Sequence, residues 1–207
     1  MIYSQGNIEK VLDRLFPDKG FFLEIGCWSG EHFSQTAWLE HERSWTGVCV
    51  DPFPVNFENR PHTLLCQKAI SLNGLPREFI QVSTDRRHGG DVSYLSGFTD
   101  TMSALHWEMV QEFCDYKTVI VETITFRQLC SLYKLPLWID FLSVDTEGSE
   151  LEVFQGIDYG VQHFGVITFE HNFDWNKRGA IARILSDNNY ILYEEWEYDD
   201  IWANRDL

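Results

Sequence analysis

Short apolar runs that do not alternate with polar residues recur along the chain: Phe21 to Ile25, Trp45 to Val50, Thr63 to Ile70, Trp138 to Val144 and Phe164 to Phe169. A strand that is apolar on both faces must be covered on both faces, which is the situation of a parallel sheet flanked by helices. Stretches with helical spacing lie between and around these runs. Ile8, Val11, Leu12 and Leu15 predict a helix over residues 7–16, stopped by Pro17. Further helices are expected from about Glu31 to Glu40, around Val55–Asn59, after Thr125, after Ser149 and around Ala180–Leu185. Thr125-Phe126-Arg127-Gln128 and Ser149-Glu150-Leu151-Glu152 both have the spacing of a capping box, and Gly156 is placed to close the second of these helices. Two short aromatic strands, Tyr190–Trp196 and Ile201–Ala203, are expected to finish the sheet as an antiparallel pair. The fold class is α/β, a mostly parallel seven-stranded sheet with helices on both faces.

Additional strands are expected at Phe79 to Val82 and Lys117 to Thr123. Between them, Ser83 to Gly97 carries Arg86, Arg87, His88, Gly89 and Gly90 without periodicity and reads as a loop. Loops of that length tend to be binding lids or disordered segments. Residues 83–116 are therefore the expected substrate-binding loop or lid of a single domain spanning 1–207, with residues 1–19 its N-terminal helical segment.

At 207 residues, 44% apolar and 15% aromatic, the chain is long enough for one sizeable core and too hydrophobic to remain unfolded. The 32 acids outnumber the 16 Lys and Arg, for a net charge of −16, which repels phosphate backbones and anionic lipid. Nucleic acid and membrane partners are not expected. No run approaches the ~18 apolar residues that span a bilayer, and Met1 to Gly6 lacks the start of an export signal, so a cytoplasmic location is expected. Five scattered cysteines without a Cys-x-x-Cys pair read as reduced thiols.

Glu24, Asp51 and Asp145 stand at the ends of three of the expected strands. Ligands of open α/β sheets bind outside those ends, and an acid at the second strand tip suits the two hydroxyls of a ribose. Gly26 and Gly30 allow a tight turn after the first strand, but the third glycine of a pyrophosphate-binding loop is missing.

The stretches Leu23-Glu24-Ile25-Gly26-Cys27-Trp28-Ser29-Gly30, Gly47-Val48-Cys49-Val50-Asp51-Pro52-Phe53-Pro54 and Ile139 to Val153, with Asp145-Thr146-Glu147-Gly148 at its centre, resemble the FkbM-type family of class I S-adenosylmethionine-dependent methyltransferases. Phe169-Glu170-His171-Asn172 and Asn189-Tyr190 match in place and order, so the resemblance covers residues 20 to 203. It implies a Rossmann-like fold and an S-adenosylmethionine site. The loop from Gly26 through Cys27 and Trp28 to Gly30 would cradle the methionine moiety, with Glu24 near its ammonium group. Asp51 and Pro52 would lie at the ribose, Lys68 and Ala69 at the adenine, and Asp145 opposite the transferred methyl.

Oxygen as the acceptor is likewise implied by the resemblance: a hydroxyl of a sugar or another small metabolite. An alcohol must lose its proton, and the candidate bases are Asp145, Glu147, Glu170, His171 and His88. The alternative is a divalent cation such as Mg²⁺, for which Asp145, Glu170 and Asn172 would offer oxygen ligands. Arg87 and His88, in the one basic cluster, and Glu147 are the candidate substrate contacts. N-methylation of a small amine, a nucleotide-binding oxidoreductase and a non-catalytic nucleotide-binding module of the same fold are the competing readings. Association of copies of the chain is left open.

Overall fold

The computed structural model describes residues 8–16 and 19–207. Pro17 and the N-terminal residues 1–7, on which the expected helix stop and the absence of an export signal rest, lie outside them. The chain runs α1 (Ile8–Leu15), β1 (Phe21–Ile25), α2 (Ala37–Arg43), β2 (Thr46–Val50), β3 (Thr63–Cys66), β4 (Ala69–Ile70), β5 (Arg77–Asp85) and β6 (Gly97–Phe98). It continues through α3 (Ala104–Phe113), β7 (Cys114–Val121), β8 (Thr123–Ile124), α4 (Phe126–Tyr133), β9 (Trp138–Val144), α5 (Glu150–Gln155), β10 (His163–Glu170), α6 (Trp175–Asp187), β11 (Tyr190–Trp196) and β12 (Asp199–Asn204).

Seven strands form the main sheet in the order β11-β12-β10-β9-β1-β2-β3. Pairing is parallel from β10 to β3. β12 is antiparallel to both β10 and β11, so β11 again runs with the body of the sheet. The expected C-terminal pair is present. The buried runs behave as their composition requires: Phe22 packs with α1 and α2 on one face through Ile8, Val11, Leu12 and Leu39, while Leu23 and Ile25 pack with Phe126, Val153, Phe154 and Ile181 of α4, α5 and α6 on the other. This period-two alternation also carries Glu24 to the face of Phe22 and away from that of Leu23.

Several local expectations are corrected. The helix expected from Glu31 begins only at Ala37, because the Glu24 carboxylate draws residues 34–36 into side-chain bonds: it accepts the Gln35 N–H at 2.7 Å and the hydroxyls of Ser34 and Thr36 at 3.0 and 2.5 Å. Residues 55–59 form no helix. Val55 instead bridges to the turn after β1, its N–H bonding the Trp28 carbonyl while its carbonyl accepts the Gly30 N–H. The run from Thr63 to Ile70 breaks into β3 and β4, and β4 pairs with β8 outside the main sheet. Thr125 and Gln128 form the expected capping box, but Ser149 makes no capping bond. Glu150 folds back in its place, accepting the N–H groups of Thr146 and Gly148 at 3.0 Å each.

The largest difference lies in residues 83–116. The stretch is largely ordered secondary structure: β5 extends to Asp85, a 3-10 turn covers Ser93–Leu95, β6 follows, and α3 leads into β7. β5 pairs antiparallel with β6 and β7 in a separate three-stranded sheet, closed by Ile80, Val82, Val110 and Cys114. Arg77 ties this unit to the body, reaching Glu152 of α5 at 2.9 and 3.0 Å and Asp100 at 2.5 Å while lying 4.2 Å over the Phe98 ring. All five cysteines are free thiols. Among the described residues no helix is long and apolar enough to cross a membrane.

Candidate active site

The C-terminal ends of β1, β2 and β9 are stitched together by backbone. The Gly26 N–H bonds the Val50 carbonyl at 2.8 Å and the Asp145 N–H bonds the Ile25 carbonyl at 2.9 Å. Gly26 has φ +82°, and a Cβ there would sit 1.5 Å from the Asp145 carbonyl oxygen, so only glycine fits between these strand ends. Above them opens a cavity of about 530 Å³. The main sheet and the β5–β7 unit both line it.

Asp51, just after β2, accepts the Trp28 N–H at 2.9 Å on one carboxylate oxygen and the Phe53 N–H at 2.7 Å on the other. Burial raises its pKa to about 6, against the opposing pull of the two N–H bonds and with the Glu24 charge adding to the rise. Cys27, Trp28, Pro52, Lys68 and Ala69 also line the cavity.

On the other side, carboxylate oxygens of Asp145, Glu147 and Glu170 lie within 4.8 Å of one another. Burial is the first cause of a raised pKa at all three: Asp145 rises to about 7, with the charges of Asp199 and Glu150 adding to burial, while Glu147 and Glu170 rise well above their usual range, with the charge of Asp145 adding to burial at both. Oδ1 of Asp145 is buried without a hydrogen-bond partner. Glu150, fully buried and bonded at 2.5 Å to Lys177, holds the loop from Thr146 to Gly148 that carries Glu147. Asn172 donates its amide to Glu170 at 2.5 Å.

Of the residues singled out from sequence, Gly26, Cys27, Trp28, Asp51, Pro52, Lys68, Ala69, Asp145, Glu147, Glu170 and Asn172 are brought to this one cavity. Five are not. Glu24 is spent on the loop before α2, as described. Gly30 packs on the β2–β3 connection, where a Cβ would meet the Asn56 carbonyl at 2.4 Å. His171 is buried beside the cavity, with Nδ1 accepting the Phe173 N–H at 3.1 Å and Nε2 lying 3.9 Å from Asp200, so its contacts are structural. Arg87 forks onto Asp85 and lies over Phe113, and His88 is exposed in the same turn.

His106, like His88, is expected from its place in or near the polar loop to be solvent-exposed, although that placement also fits substrate contact; the structure instead turns its side chain inward to the cavity. Ser103 caps α3 by accepting the His106 N–H, which orients the first turn so that the imidazole enters the cavity with Nδ1 3.4 Å from Glu147. Burial lowers its pKa, so the ring is neutral near pH 7. Ser103 followed three residues later by the N3 position of an amphipathic stretch was a readable helix start.

Strand ends that meet at a glycine turn beneath a cavity, with Asp51 after β2, Asp145 and Glu147 after β9 and Glu170 at the end of β10, mark the ligand site of a mostly parallel α/β fold. A family model of the methyltransferase FkbM domain matches residues 24–192, most of the chain, and the protein belongs to that family of methyltransferases. Neither a curated protein nor a solved structure matches the chain.

Proposed function

We propose that the protein transfers the methyl group of S-adenosylmethionine to a hydroxyl of a small molecule. The observation that carries this reading is the buried, unpartnered Oδ1 of Asp145, in one cavity with the Gly26 turn and Asp51. When bound, S-adenosylmethionine supplies a methyl on a positively charged sulfur, open to in-line displacement. The residues present suit such a group: the cavity is acidic, and Asp51, which lines it, keeps a second lone pair on each oxygen for ribose hydroxyls. Ala69 with Phe53, Phe79 and Phe98 offers an apolar bed for a base.

Asp145 is the group we assign to the acceptor's proton. Its pKa of about 7 places it near the value at which a base is both ionised and able to hold a proton. Glu170, whose pKa burial and the charges of Asp145 and Glu147 raise further, holds its proton more firmly and keeps the acid pair at a single charge. His106 steadies Glu147. The β5–β7 unit covers the cavity and limits water, and alignment of the reactants in such a site is worth up to ~7–11 kcal/mol. The excess of acids over bases supports an acceptor other than nucleic acid.

A second reading has one observation in its favour: the clustered oxygens of Asp145, Glu147 and Glu170 are a donor set for Mg²⁺ or Ca²⁺. Here Glu147 takes the place expected of Asn172, whose amide faces Glu170. The test is methyl transfer from labelled S-adenosylmethionine to a panel of hydroxyl and amine acceptors. Asp145→Asn is expected to lower kcat by ~10²–10⁴-fold while leaving donor affinity unchanged. Full activity in that variant removes Asp145 from the chemistry, and a strict requirement for added Mg²⁺ favours the second reading.

A further inference from the structure

Among the described residues, six buried side-chain polar atoms have no hydrogen-bond partner. Three of them, Asp145 Oδ1, Thr101 Oγ1 and His106 Nε2, belong to residues that line the one cavity. The other three, on Gln35, Tyr159 and Trp202, do not. A buried polar atom left unpaired costs stability, so their concentration around one space points to a ligand that satisfies them.

Asp145 is assigned to the acceptor's proton. Thr101 and His106 come from the other unit of the molecule: Thr101 lies between β6 and α3, and His106 in the first turn of α3. Both are seated against the loop that carries Glu147. Gly148 has φ +128°, and a Cβ there would lie 2.6 Å from the Thr101 carbonyl oxygen, so the two backbones touch. Glu147 holds φ +56°, a strained value for a residue with a side chain, and its carboxylate is 3.4 Å from His106 Nδ1.

This seating leaves two atoms uncommitted. With Nδ1 turned to Glu147, the second ring nitrogen of His106 remains. The Leu95 carbonyl pulls the His106 pKa upward against burial, yet Nε2 has no hydrogen bond. The Thr101 N–H is bonded to the Phe98 carbonyl at 3.4 Å, which ties down the backbone and leaves the hydroxyl. The ribose of the donor is assigned to Asp51, which precedes β5, so the side of the cavity formed by Thr101 and His106 falls to the acceptor.

We propose that Thr101 and His106 are specificity-determining residues, whose Oγ1 and Nε2 hydrogen-bond a polar group of the acceptor other than the hydroxyl held at Asp145. An acceptor with one hydroxyl and no second polar group is then a poor substrate. The proposal rests on the reading of the cavity as a methyl-transfer site.

Thr101→Val, which removes the hydroxyl and keeps the shape, separates this role from a structural one. A hydroxyl that awaits a ligand adds nothing to the free protein, so the variant should melt within about 3 °C of wild type or above it. Its affinity for S-adenosylhomocysteine should be unchanged. Methyl transfer is measured with glycerol, catechol, methyl β-glucopyranoside and phenol as acceptors. For the one that wild type methylates fastest, kcat/KM should fall roughly three- to tenfold in Thr101→Val and in His106→Phe, the worth of one hydrogen bond, and recover in Thr101→Ser. Phenol, which has no second polar group, should react more slowly than catechol.

Three results overturn the proposal: a larger fall in melting temperature for Thr101→Val, kcat/KM unchanged in both variants, or phenol preferred to catechol. Where wild type methylates none of the four, the melting comparison decides alone. Wild-type protein that does not bind S-adenosylhomocysteine overturns the donor reading first and this one with it. Donor binding with any of the three contrary results overturns this proposal alone.

Discussion

Replacing Gly26 with alanine tests whether the strand ends are as tightly joined as described. The added Cβ would meet the Asp145 carbonyl oxygen at 1.5 Å, and a routine carbon–oxygen contact is ~3.3 Å, so the turn must retreat by about 2 Å. That movement breaks the Asp145 N–H to Ile25 bond and the Gly26 N–H to Val50 bond, at ~1 kcal/mol each or more if the groups stay buried and unpaired. A φ of +82° adds ~1–2 kcal/mol for any side chain. The sum is about 3–5 kcal/mol, or a fall in Tm of about 10 °C for a chain of this size. Gly89→Ala is the control: φ is +62° but nothing lies within 4 Å of the new Cβ, so only the ~1–2 kcal/mol conformational cost remains. Thermal unfolding of both variants, followed by circular dichroism, decides the matter. A Gly26→Ala protein that melts no lower than Gly89→Ala refutes the close junction.

Arg60 and Glu40 form a buried pair at 2.6 Å that also grips the Gly30 carbonyl, Ser34 and Thr36. Arg60→Ala, which strands the Glu40 charge, should cost about 3–5 kcal/mol in urea unfolding, with Arg60→Met/Glu40→Leu recovering part of it; a loss below ~1 kcal/mol contradicts the clamp. Asp51 gives a pH signature. Its folded pKa is raised, so the folded state holds the extra proton, and its contribution of about 3 kcal/mol is present below pH ~4 and lost as pH rises through about 6. His106 and His171, whose pKa values are lowered, act with the opposite sign below about pH 6.5, so the quantity to measure is the difference between wild type and Asp51→Asn from pH 4 to 7. That difference should shift against the wild type as pH rises, and a flat line rejects the buried carboxylate.

The parallel sheet was legible because β1, β2, β9 and β10 are buried on both faces, and only continuous apolar runs can fill such strands. The acids after β2, β9 and β10 were legible for a related reason: a carboxylate following an apolar strand falls at the sheet's C-terminal edge. Glu24 misled because it lies one residue inside β1, where the alternation of side chains turns it to the α2 face. The strands at Phe79 to Val82 and Lys117 to Thr123 were legible as parts of β5 and β7, but the ordered segment between them, with β6 and α3, was misread because its middle is rich in Gly, Arg and His. The inward turn of His106 was hidden with it. No local pattern in α3 says that the helix will be folded back over strand ends far away in sequence.

The central claim is that the cavity at Gly26, Asp51 and Asp145 holds an adenosyl sulfonium donor. Isothermal titration calorimetry with S-adenosylhomocysteine, on wild type and Asp51→Ala, tests it most directly. The account predicts micromolar binding at one site per chain, weakened at least tenfold by the substitution, the ~1.4 kcal/mol or more expected when a charged acceptor is removed from a ribose. Absence of heat with both S-adenosylhomocysteine and S-adenosylmethionine, or equal affinity in Asp51→Ala, would contradict it.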